Sequence, residues 1–318
     1  MDRKRRAEKG MLSSQKQLKN LSFGSDQLYA PTDMELKRMQ EILLMIYKDV
    51  FDVCEQNGLT LFLGGGSALG AVRHGGFIPW DDDMDLMLMR GDYEKFKAIF
   101  DEHLSEKYVL QVPGAEGKRP SNLFMKVILK GTKCLELVQK NAPGEHGLWV
   151  DIFPIEYAPE NRLIRQVKGF LIDALAYACV SNYLFRFDSK EMRAYVKGSK
   201  GARINRLIRL TIGGILSFLP YERWYDFFDR ASRGRRATSV ITIPTGIRHY
   251  MGEMHAKDAF FPPKETNFEG VKAYLPNHTH EYLTQLYGDY MTPPPENKRE
   301  RHLYVKLDFG PYREKTHE

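Results

Sequence analysis

The sequence predicts an α+β fold, in which a mixed sheet is flanked by helices and followed by a helical region. Short apolar runs of strand character alternate with amphipathic helical patterns in the first half of the chain. Apolar residues then keep helical spacing, most clearly at 163–187 and 204–219. In chain order we expect a flexible basic arm, a mixed core, a mainly helical basic region and a C-terminal mixed region that packs on the core: residues 1–30, 31–158, 159–240 and 241–318.

The first elements follow from caps and turns. Thr32 and Glu35 match a capping box, and helical spacing continues from there to a stop at Asn57-Gly58. A short strand at 59–63 leads into a triple-glycine turn and a short helix over 67–73.

Further elements follow from periodicity. The acidic stretch 79–89 has the pattern of a strand, and a helix begins at Arg90. Lys130-Gly131-Thr132 predicts a hairpin turn between two of the strand-like runs that follow. Those runs lie at 108–112, 123–129, 133–138 and 148–155.

Length and composition describe a globular protein with a full core. The chain has 318 residues, of which 42% are hydrophobic and 28% charged, and it contains no apolar stretch typical of a membrane span. The first residues, MDRKRRAEKG, are charged with no apolar segment behind them, which predicts a cytoplasmic protein without a secretory signal. The wide spacing of Cys54, Cys134 and Cys179 predicts reduced thiols.

The positive charge is concentrated in one segment. Residues 190–236 contain 12 Lys or Arg and 4 Asp or Glu, whereas the whole chain has a net charge of +6. This excess predicts an anionic partner, namely a membrane surface, a nucleic acid or a phosphorylated acceptor, with a solvated helical face as the alternative. Arg203, Arg206 and Arg209 alternate with apolar residues, so that 203–219 is a candidate for peripheral membrane contact. Core packing with arginines that extend to solvent is the alternative.

Aspartates cluster in the predicted strand 79–89. Because side chains two residues apart share a face of a strand, Asp83 and Asp85 should project together while Met84 is buried. Two carboxylates this close repel each other unless a cation lies between them. Mg²⁺ fits because it prefers oxygen ligands and commonly accompanies phosphates. Asp81 falls on the same face and is a candidate to support the metal ligands.

A third aspartate and a glycine turn complete the predicted site. Asp151 stands alone in the apolar strand 148–155, where an acid is costly to bury without a partner. If this strand lies beside the acidic one, the same cation compensates both. Gly65, Gly66 and Ser67 open a helix, where backbone N–H groups can hold a phosphate. Together these features predict phosphoryl transfer.

Each feature has a simpler interpretation on its own. A glycine-rich turn is often only a tight loop, an acidic strand end is often solvated, and Asp151 could pair with an arginine. The prediction therefore depends on the combination, order and spacing of the three features.

The stretch at 63–86, LGGGSALGAVRHGGFIPWDDDMDL, closely resembles the signature of the LicD family, phosphocholine transferases of the nucleotidyltransferase superfamily. Residues 146–154, HGLWVDIFP, look like the third-acid strand of that family. FEG at 268–270 and YLTQLYGDYM at 282–291 look like its C-terminal block. The resemblance covers most of the chain from 33 to about 302, and the fukutin group is related.

This resemblance implies a nucleotidyltransferase-like core and one or two Mg²⁺ ions. The family reaction transfers a phospho-alcohol, usually phosphocholine from CDP-choline, to a hydroxyl of a cell-surface glycan, such as teichoic acid or lipopolysaccharide, or of its lipid-linked precursor, and releases CMP. Members of the fukutin group use CDP-ribitol. Asp151 either completes the metal shell or accepts the hydroxyl proton. The implied metal ligands are Asp83, Asp85 and Asp151, and the implied donor-phosphate contacts are Gly65, Gly66 and Ser67.

Several neighbouring residues are candidates for donor binding. Arg73 and His74 follow the glycine-turn helix and are placed to steady a diphosphate, with a structural arginine and a solvent-facing histidine as the alternatives. A choline group needs an aromatic wall, for which Trp80 and Trp149 are candidates, although aromatic residues beside strands more often pack in a core. Lys126 is a candidate to reach the phosphates, and an edge-strand lysine is the simpler interpretation.

Two other functions stay open at this point. A true nucleotidyltransferase, which attaches a nucleotide and releases pyrophosphate, needs the same acids. A non-catalytic protein that binds an anionic surface or nucleic acid is supported only by the basic segment. Nucleic acid is the less favoured partner, because that segment lacks regularly interleaved aromatic residues.

Overall fold

A computed structural model describes residues 28–114, 122–296, 299, 302 and 304–313. The predicted flexible arm lies almost entirely outside these residues. Within them the chain forms nine α-helices, α1 to α9 in chain order: Asp33–Gln56, Gly65–His74, Arg90–His103, Arg162–Phe187, Lys190–Val196, Lys200–Ile215, Tyr221–Ser232, His249–Gly252 and Thr279–Tyr287.

The described strands form one large mixed sheet and one small sheet. The large sheet has the order β3-β4-β6-β2-β1-β10-β9, with β7 paired to β6 and β8 to β7, and β5 pairs only with β11 in the small one. β2 is parallel to β6 and β1 to β10, whereas the other pairs are antiparallel, so that the predicted α+β class is confirmed. The strands β1 to β11 are Phe62–Leu63, Asp85–Met89, Tyr108–Gln111, Met125–Leu129, Lys133–Glu136, Trp149–Tyr157, Val240–Thr242, Met254–Ala256, Lys264–Phe268, Val271–Leu275 and Tyr304–Asp308.

The helix α1 begins and ends where the sequence predicts. Thr32 Oγ1 accepts from the Glu35 N–H at 3.3 Å, and Glu35 Oε2 accepts from the Thr32 N–H at 2.9 Å, which completes a capping box. The helix stops at Asn57, and Gly58 follows with a positive φ of 66°. One face of α1 is buried and contacts β6.

The predicted hairpin between β4 and β5 is wrong. Lys130-Gly131-Thr132 does form a turn, but β4 already has β3 on one edge and β6 on the other. A strand has only two edges, so β5 leaves the main sheet and pairs with β11. Thr132 Oγ1 donates to Leu129 O at 2.8 Å and accepts from the Leu148 N–H at 2.9 Å, which fixes the exit of the chain from the sheet.

The helical region has a small core of its own. The predicted helices are confirmed as α4 and as α6 with a 3₁₀ turn at Leu216–Phe218. None of the described helices is long and apolar enough to cross a membrane. All three cysteines are buried free thiols.

The residues buried together in the core of the helical region are Ala158, Ile172, Cys179, Tyr183, Tyr221, Tyr225, Phe228 and Tyr250.

A buried ion network ties the helical region to the sheet. Arg90, at the start of α3, donates through Nε to Glu156 Oε1 at 2.6 Å, and its Nη2 lies 2.9 Å from Asp229 Oδ1 in α7. Glu156, in β6, is fully buried, and its second oxygen accepts from the Gly234 N–H at 3.0 Å. Arg90 also contacts the more exposed Glu94 at 2.9 Å.

We expect Glu156→Ala to lower the free energy of unfolding by about 3 kcal/mol, because it takes the main partner from the buried Arg90 guanidinium. Glu94→Ala is the matched control, since it removes an exposed carboxylate of the same network and should cost less than about 1 kcal/mol. Urea unfolding measures both changes. Equal losses in the two variants would contradict the assignment of Glu156 as the central partner.

Candidate active site

Three adjacent strands bring charged side chains into one row. In the parallel pairing of β2 with β6, Asp85 lies opposite Asp151. In the antiparallel pairing of β4 with β6, Lys126 lies opposite the same aspartate. Residues directly opposite each other on paired strands share a face of the sheet. The prediction that the strand of Asp151 lies beside that of Asp85 is therefore confirmed.

The acidic segment before β2 is not a strand, so the prediction of a strand over 79–89 is wrong for its first half. Pro79 has no N–H for a ladder, and the Asp81 N–H closes a turn onto Ile78 O at 2.9 Å. β2 starts only at Asp85. Strand alternation therefore does not explain where the side chains of Asp81 and Asp83 lie.

The glycine turn lets carboxylates approach the first turn of α2. Gly65 has a positive φ of 40°, and a Cβ at this residue would lie 2.5 Å from Asp85 Oδ2. A Cβ at Gly66 would lie 2.9 Å from Asp81 Oδ2. Ser67 Oγ accepts from the Asp85 N–H at 2.9 Å and so fixes the start of β2. Asp81 and Asp85 thus both lie against this helix end.

The backbone donors predicted to hold a phosphate already have partners within the chain. The Gly66 N–H donates to Asp85 Oδ2 at 3.3 Å, and the Gly65 N–H donates to the hydroxyl of Tyr282 at 3.0 Å. A phosphate bound at these two amides would replace both contacts. The phosphate-binding role of this turn stays a prediction.

Burial and mutual repulsion shift the titration of the acids. Burial, with the charge of Asp83 added, raises the pKa of Asp81 and of Asp85 well above the ordinary range. Burial also raises the pKa of Asp151 to about 6, although Lys126 opposes the shift. The Oδ1 atom of Asp151 is buried and has no hydrogen bond within the described chain. Carboxylate oxygens are the ligands that Mg²⁺ prefers, so the chemistry of Asp83, Asp85 and Asp151 suits this ion, and their role as its ligands stays a prediction.

Lys126 is the buried cation of the site. Its Nζ lies 3.5 Å from Asp151 Oδ1, 3.9 Å from Glu136 Oε2 and 3.8 Å from the ring centroid of Trp149. β4 lies between β3 and β6, so the interpretation of Lys126 as an edge-strand lysine is wrong. Trp149 is buried, and the cation that its ring contacts here is this ammonium group.

His302 joins the site from the C-terminal part of the chain. Its Nδ1 lies 2.8 Å from Asp82 Oδ1, and its backbone N–H donates to Asp82 Oδ2 at 3.0 Å. Its Nε2 lies 3.7 Å from Asp83 Oδ2. Burial opposes a charge on the ring, but Asp82 outweighs it and, with Asp83 and Glu136, raises the pKa of His302 to about 10. His302 stands in a basic run, and no local pattern predicts this contact.

The cluster of possible metal ligands that the described residues bring together is Asp82, Asp83 and His302, and it does not include Asp85 or Asp151. The nearest ligand atoms of Asp82, Asp83 and His302 all lie within 4.8 Å of one another. Because His302 is held in its protonated form by Asp82, a metal there would have to displace a proton. A metal on Asp85 would also displace a proton, because the pKa of this carboxyl group is raised well above its ordinary range.

Arg73, His74 and Trp80 lie together beside the acids. The Arg73 guanidinium donates to Tyr290 O at 2.7 Å and to His74 Nε2 at 2.9 Å, and its Cζ lies 5.8 Å from the ring centroid of Trp80. The Cζ of Arg299 lies 4.2 Å from the same ring. Trp80 is half-buried. Its ring already contacts cationic groups, which is the property expected of an aromatic wall for choline.

Two residues of the C-terminal segment support the glycine turn and the loop that follows α2. Glu269 Oε1 accepts from the Phe77 N–H at 3.0 Å and occupies the space that a side chain at Gly76 would need. The Tyr282 hydroxyl accepts from the Gly65 N–H. These contacts give a physical reason for the glycines and for the distant segment that accompanies them in the sequence.

The chain is similar to known proteins along most of its length. Residues 58–167 match the family model described as LicD/FKTN/FKRP, nucleotidyltransferase domain. The lipopolysaccharide cholinephosphotransferase LicD of Haemophilus influenzae is 25% identical over 272 residues, which are 85% of this chain and 96% of that protein.

Other relatives match over shorter stretches. An uncharacterized protein of Rickettsia typhi is 37% identical over 123 residues, 38% of this chain and 36% of that protein. The human ribitol 5-phosphate transferase FKRP is 57% identical over 37 residues, 12% of this chain and 8% of that protein. The chain therefore carries a LicD/FKTN/FKRP nucleotidyltransferase domain at residues 58–167 and is similar over most of its length to the cholinephosphotransferase LicD, with a shorter similarity to FKRP.

Proposed function

We propose that this chain catalyses the Mg²⁺-dependent transfer of a phospho-alcohol to a hydroxyl of a cell-surface glycan or its lipid-linked precursor, with release of CMP. Phosphocholine from CDP-choline is the first candidate donor. The observation that carries the proposal is the register that sets Asp85 opposite Asp151, whose buried Oδ1 lacks a hydrogen bond. The relatives named for cholinephosphate and ribitol 5-phosphate transfer support this reaction class.

The reaction exchanges one phosphorus–oxygen bond for another. The acceptor oxygen attacks the phosphorus that carries the alcohol, the bond from this phosphorus to the CMP oxygen breaks, and the hydroxyl proton passes to a base. The site is strongly acidic, so the anionic donor needs added positive charge there. Mg²⁺ on Asp83, Asp85 and Asp151 supplies that charge when bound.

Asp151 fits two roles. As a ligand it adds an oxygen to the metal shell. As a base it accepts the acceptor proton, for which a pKa of about 6 is better suited than that of an ordinary aspartate. Lys126 serves either role, because its ammonium group, 3.5 Å from Asp151 Oδ1, stabilises the ionised carboxylate.

Trp80 is a better candidate than Trp149 for contact with a choline group. Trp149 is buried and already contacts the Lys126 ammonium group. Trp80 is half-buried, and the guanidinium groups of Arg73 and Arg299 lie 5.8 and 4.2 Å from its ring, in the place that a quaternary ammonium would take. Arg73 lies beside Trp80, so its guanidinium group can contact the diphosphate of a donor whose choline group contacts that ring.

We expect Asp85→Asn to reduce transfer by about a thousandfold, because the variant keeps the shape of the site but loses a metal ligand. Its stability without metal should not fall, since the change removes a buried charge and leaves an oxygen for the Gly66 N–H. Asp52→Asn, at an exposed position of α1, is the matched control and should change neither property. Wild-type turnover in Asp85→Asn with Mg²⁺ present would exclude Asp85 as a ligand.

We expect Lys126→Met to lower the melting temperature without metal, because Asp151 and Glu136 lose their buried cation. Mg²⁺ should then raise the melting temperature of this variant more than that of the wild type, since the ion takes over the same electrostatic task. Lys133→Met, on an exposed position of β5, should behave as the wild type. Thermal unfolding with and without Mg²⁺ measures the difference. A smaller Mg²⁺ effect in Lys126→Met would contradict a metal near Asp151.

A donor panel tests the reaction class. We expect CDP-choline, CDP-ribitol or CDP-glycerol to raise the melting temperature in the presence of Mg²⁺, with a smaller effect in its absence. A stronger response to CTP or ATP would favour a true nucleotidyltransferase that releases pyrophosphate. No response to any nucleotide would contradict the proposal.

A further inference from the structure

The helix α6 and the 3₁₀ turn that follows it present an apolar face to solvent. Leu207, Ile215 and Phe218 are 65%, 70% and 72% exposed, and Ile204 and Ile208 are about half exposed. These residues recur at intervals of three, four or seven, so they form one stripe along the helix. We call this stripe the α6 face.

The charge beside the α6 face has one sign. Residues 192–221 contain six Lys or Arg and neither Asp nor Glu. Lys197, Lys200 and Arg203 are exposed in the stretch from the end of α5 to the first turn of α6. Arg206 instead pairs with Asp188. Of the arginines that alternate with apolar residues in the sequence, Arg203 is exposed to solvent, whereas Arg206 forms an ion pair within the fold.

Arg209 shows why the apolar residues face outward. It is only 4% exposed, and its Cζ lies 4.3 Å from the ring centroid of Tyr177 in α4. The Gly213 backbone packs closely on Ser181 and Phe185 of the same helix. Because α6 buries Arg209 and Gly213 against α4, its Leu and Ile side chains remain in water. The alternative in which they pack in a core is wrong for the α6 face.

The apolar surface continues beyond the helix. Phe218 also lines an open groove of about 840 Å³ with Phe185, Phe187 and Tyr221. Arg186 stands at this groove and donates to Ser217 O and Leu219 O. An exposed apolar surface with basic residues at one end is typical of a helix that lies in a membrane interface.

The geometry points to the α6 face as a docking surface for an anionic phospholipid membrane, with Lys197, Lys200 and Arg203 against the headgroups. A neutral protein partner would explain the exposed apolar residues but not the one-signed charge beside them. An acidic protein partner would bind without vesicles, and flotation separates it from a membrane. Docking here also sets the site near the lipid, because Leu137, next to Glu136, packs in one cluster with Tyr195, Val196 and Ala202 of α5 and α6. If the proposed function is correct, docking of the α6 face implies an acceptor carried by a lipid, and this consequence rests on the proposed function. The docking itself does not depend on the reaction.

A second exposed apolar stripe makes the test specific. The first half of α4 exposes Leu163, Val167 and Phe170, which are 69%, 56% and 73% exposed. Of the three cations in this half of α4, Arg165 and Lys168 donate to backbone carbonyl groups and Arg162 is exposed, whereas three exposed cations accompany the α6 face. We therefore assign membrane contact to the α6 face and not to α4.

Flotation with phosphatidylglycerol-containing vesicles and with phosphatidylcholine vesicles tests this assignment without any substrate. The wild type should float with the anionic vesicles only, and less so at high salt. Lys200→Ala/Arg203→Ala should weaken binding about thirtyfold, and Leu207→Glu by more than about tenfold. These side chains are exposed, so the circular dichroism spectrum and melting temperature should not change.

Two controls keep the result specific. Met34→Glu, at an isolated exposed position of α1, should bind as the wild type. Leu163→Glu/Val167→Glu should also bind as the wild type, and loss of binding in this variant with full binding in Leu207→Glu would overturn the assignment to α6. No enrichment of the wild type on anionic vesicles would overturn the proposal, as would a dimer that Leu207→Glu converts to a monomer without any vesicle binding. A failed donor panel with intact vesicle binding would instead remove only the proposed reaction.

Discussion

The repulsion between buried carboxylates is the constraint on which this structure depends. Asp81, Asp83, Asp85 and Asp151 converge where the central strands β2 and β6 begin. Burial raises the pKa of Asp81, Asp85 and Asp151. The fold compensates part of the charge from within: Lys126 lies beside Asp151, His302 beside Asp82, and a backbone N–H of α2 donates to Asp85. These partners leave Asp151 Oδ1 without a hydrogen bond. The Mg²⁺ of the proposed function would compensate the remaining charge, and the anionic donor of the proposed reaction needs the same cation.

The same constraint explains the residues around the acids. Carboxylates can lie against the first turn of α2 only if that turn has no side chains, so Gly65 and Gly66 are required by space as much as by backbone conformation. Since glycine also loosens the turn, it has to be held from outside. Tyr282 binds the Gly65 N–H and Glu269 binds the Phe77 N–H, each from the C-terminal part of the chain. The C-terminal segment thus supports the site through contacts that join residues distant in the sequence.

The sequence predicted those features that depend on local order. The capping box at Thr32, the helix after the glycine turn and the long helices of the basic region are all confirmed, because caps and periodicity act over a few residues. The pairing of the Asp85 and Asp151 strands was predicted from the cost of burying a lone acid, a physical argument that needs no topology. The hairpin after β4 failed because strand edges are a property of the whole sheet. The edge-strand interpretation of Lys126 failed for the same reason, and the contact of His302 with Asp82 forms only once the C-terminal segment meets the site.

Packed side chains connect the acidic site to the helices α5 and α6 of the basic region. β5 carries Glu136 toward Lys126, and the next residue, Leu137, is buried in a cluster with Tyr195 and Val196 of α5 and Ala202 of α6. One strand therefore connects the acidic site to the start of the α6 face through packed side chains and not through a flexible linker. A rigid connection fixes the distance between the two surfaces, which is what an enzyme needs if the hydroxyl it modifies is displayed at a membrane. If α6 instead served only to cover α4, nothing would favour apolar side chains on its outer face, and polar residues there would be at least as stable.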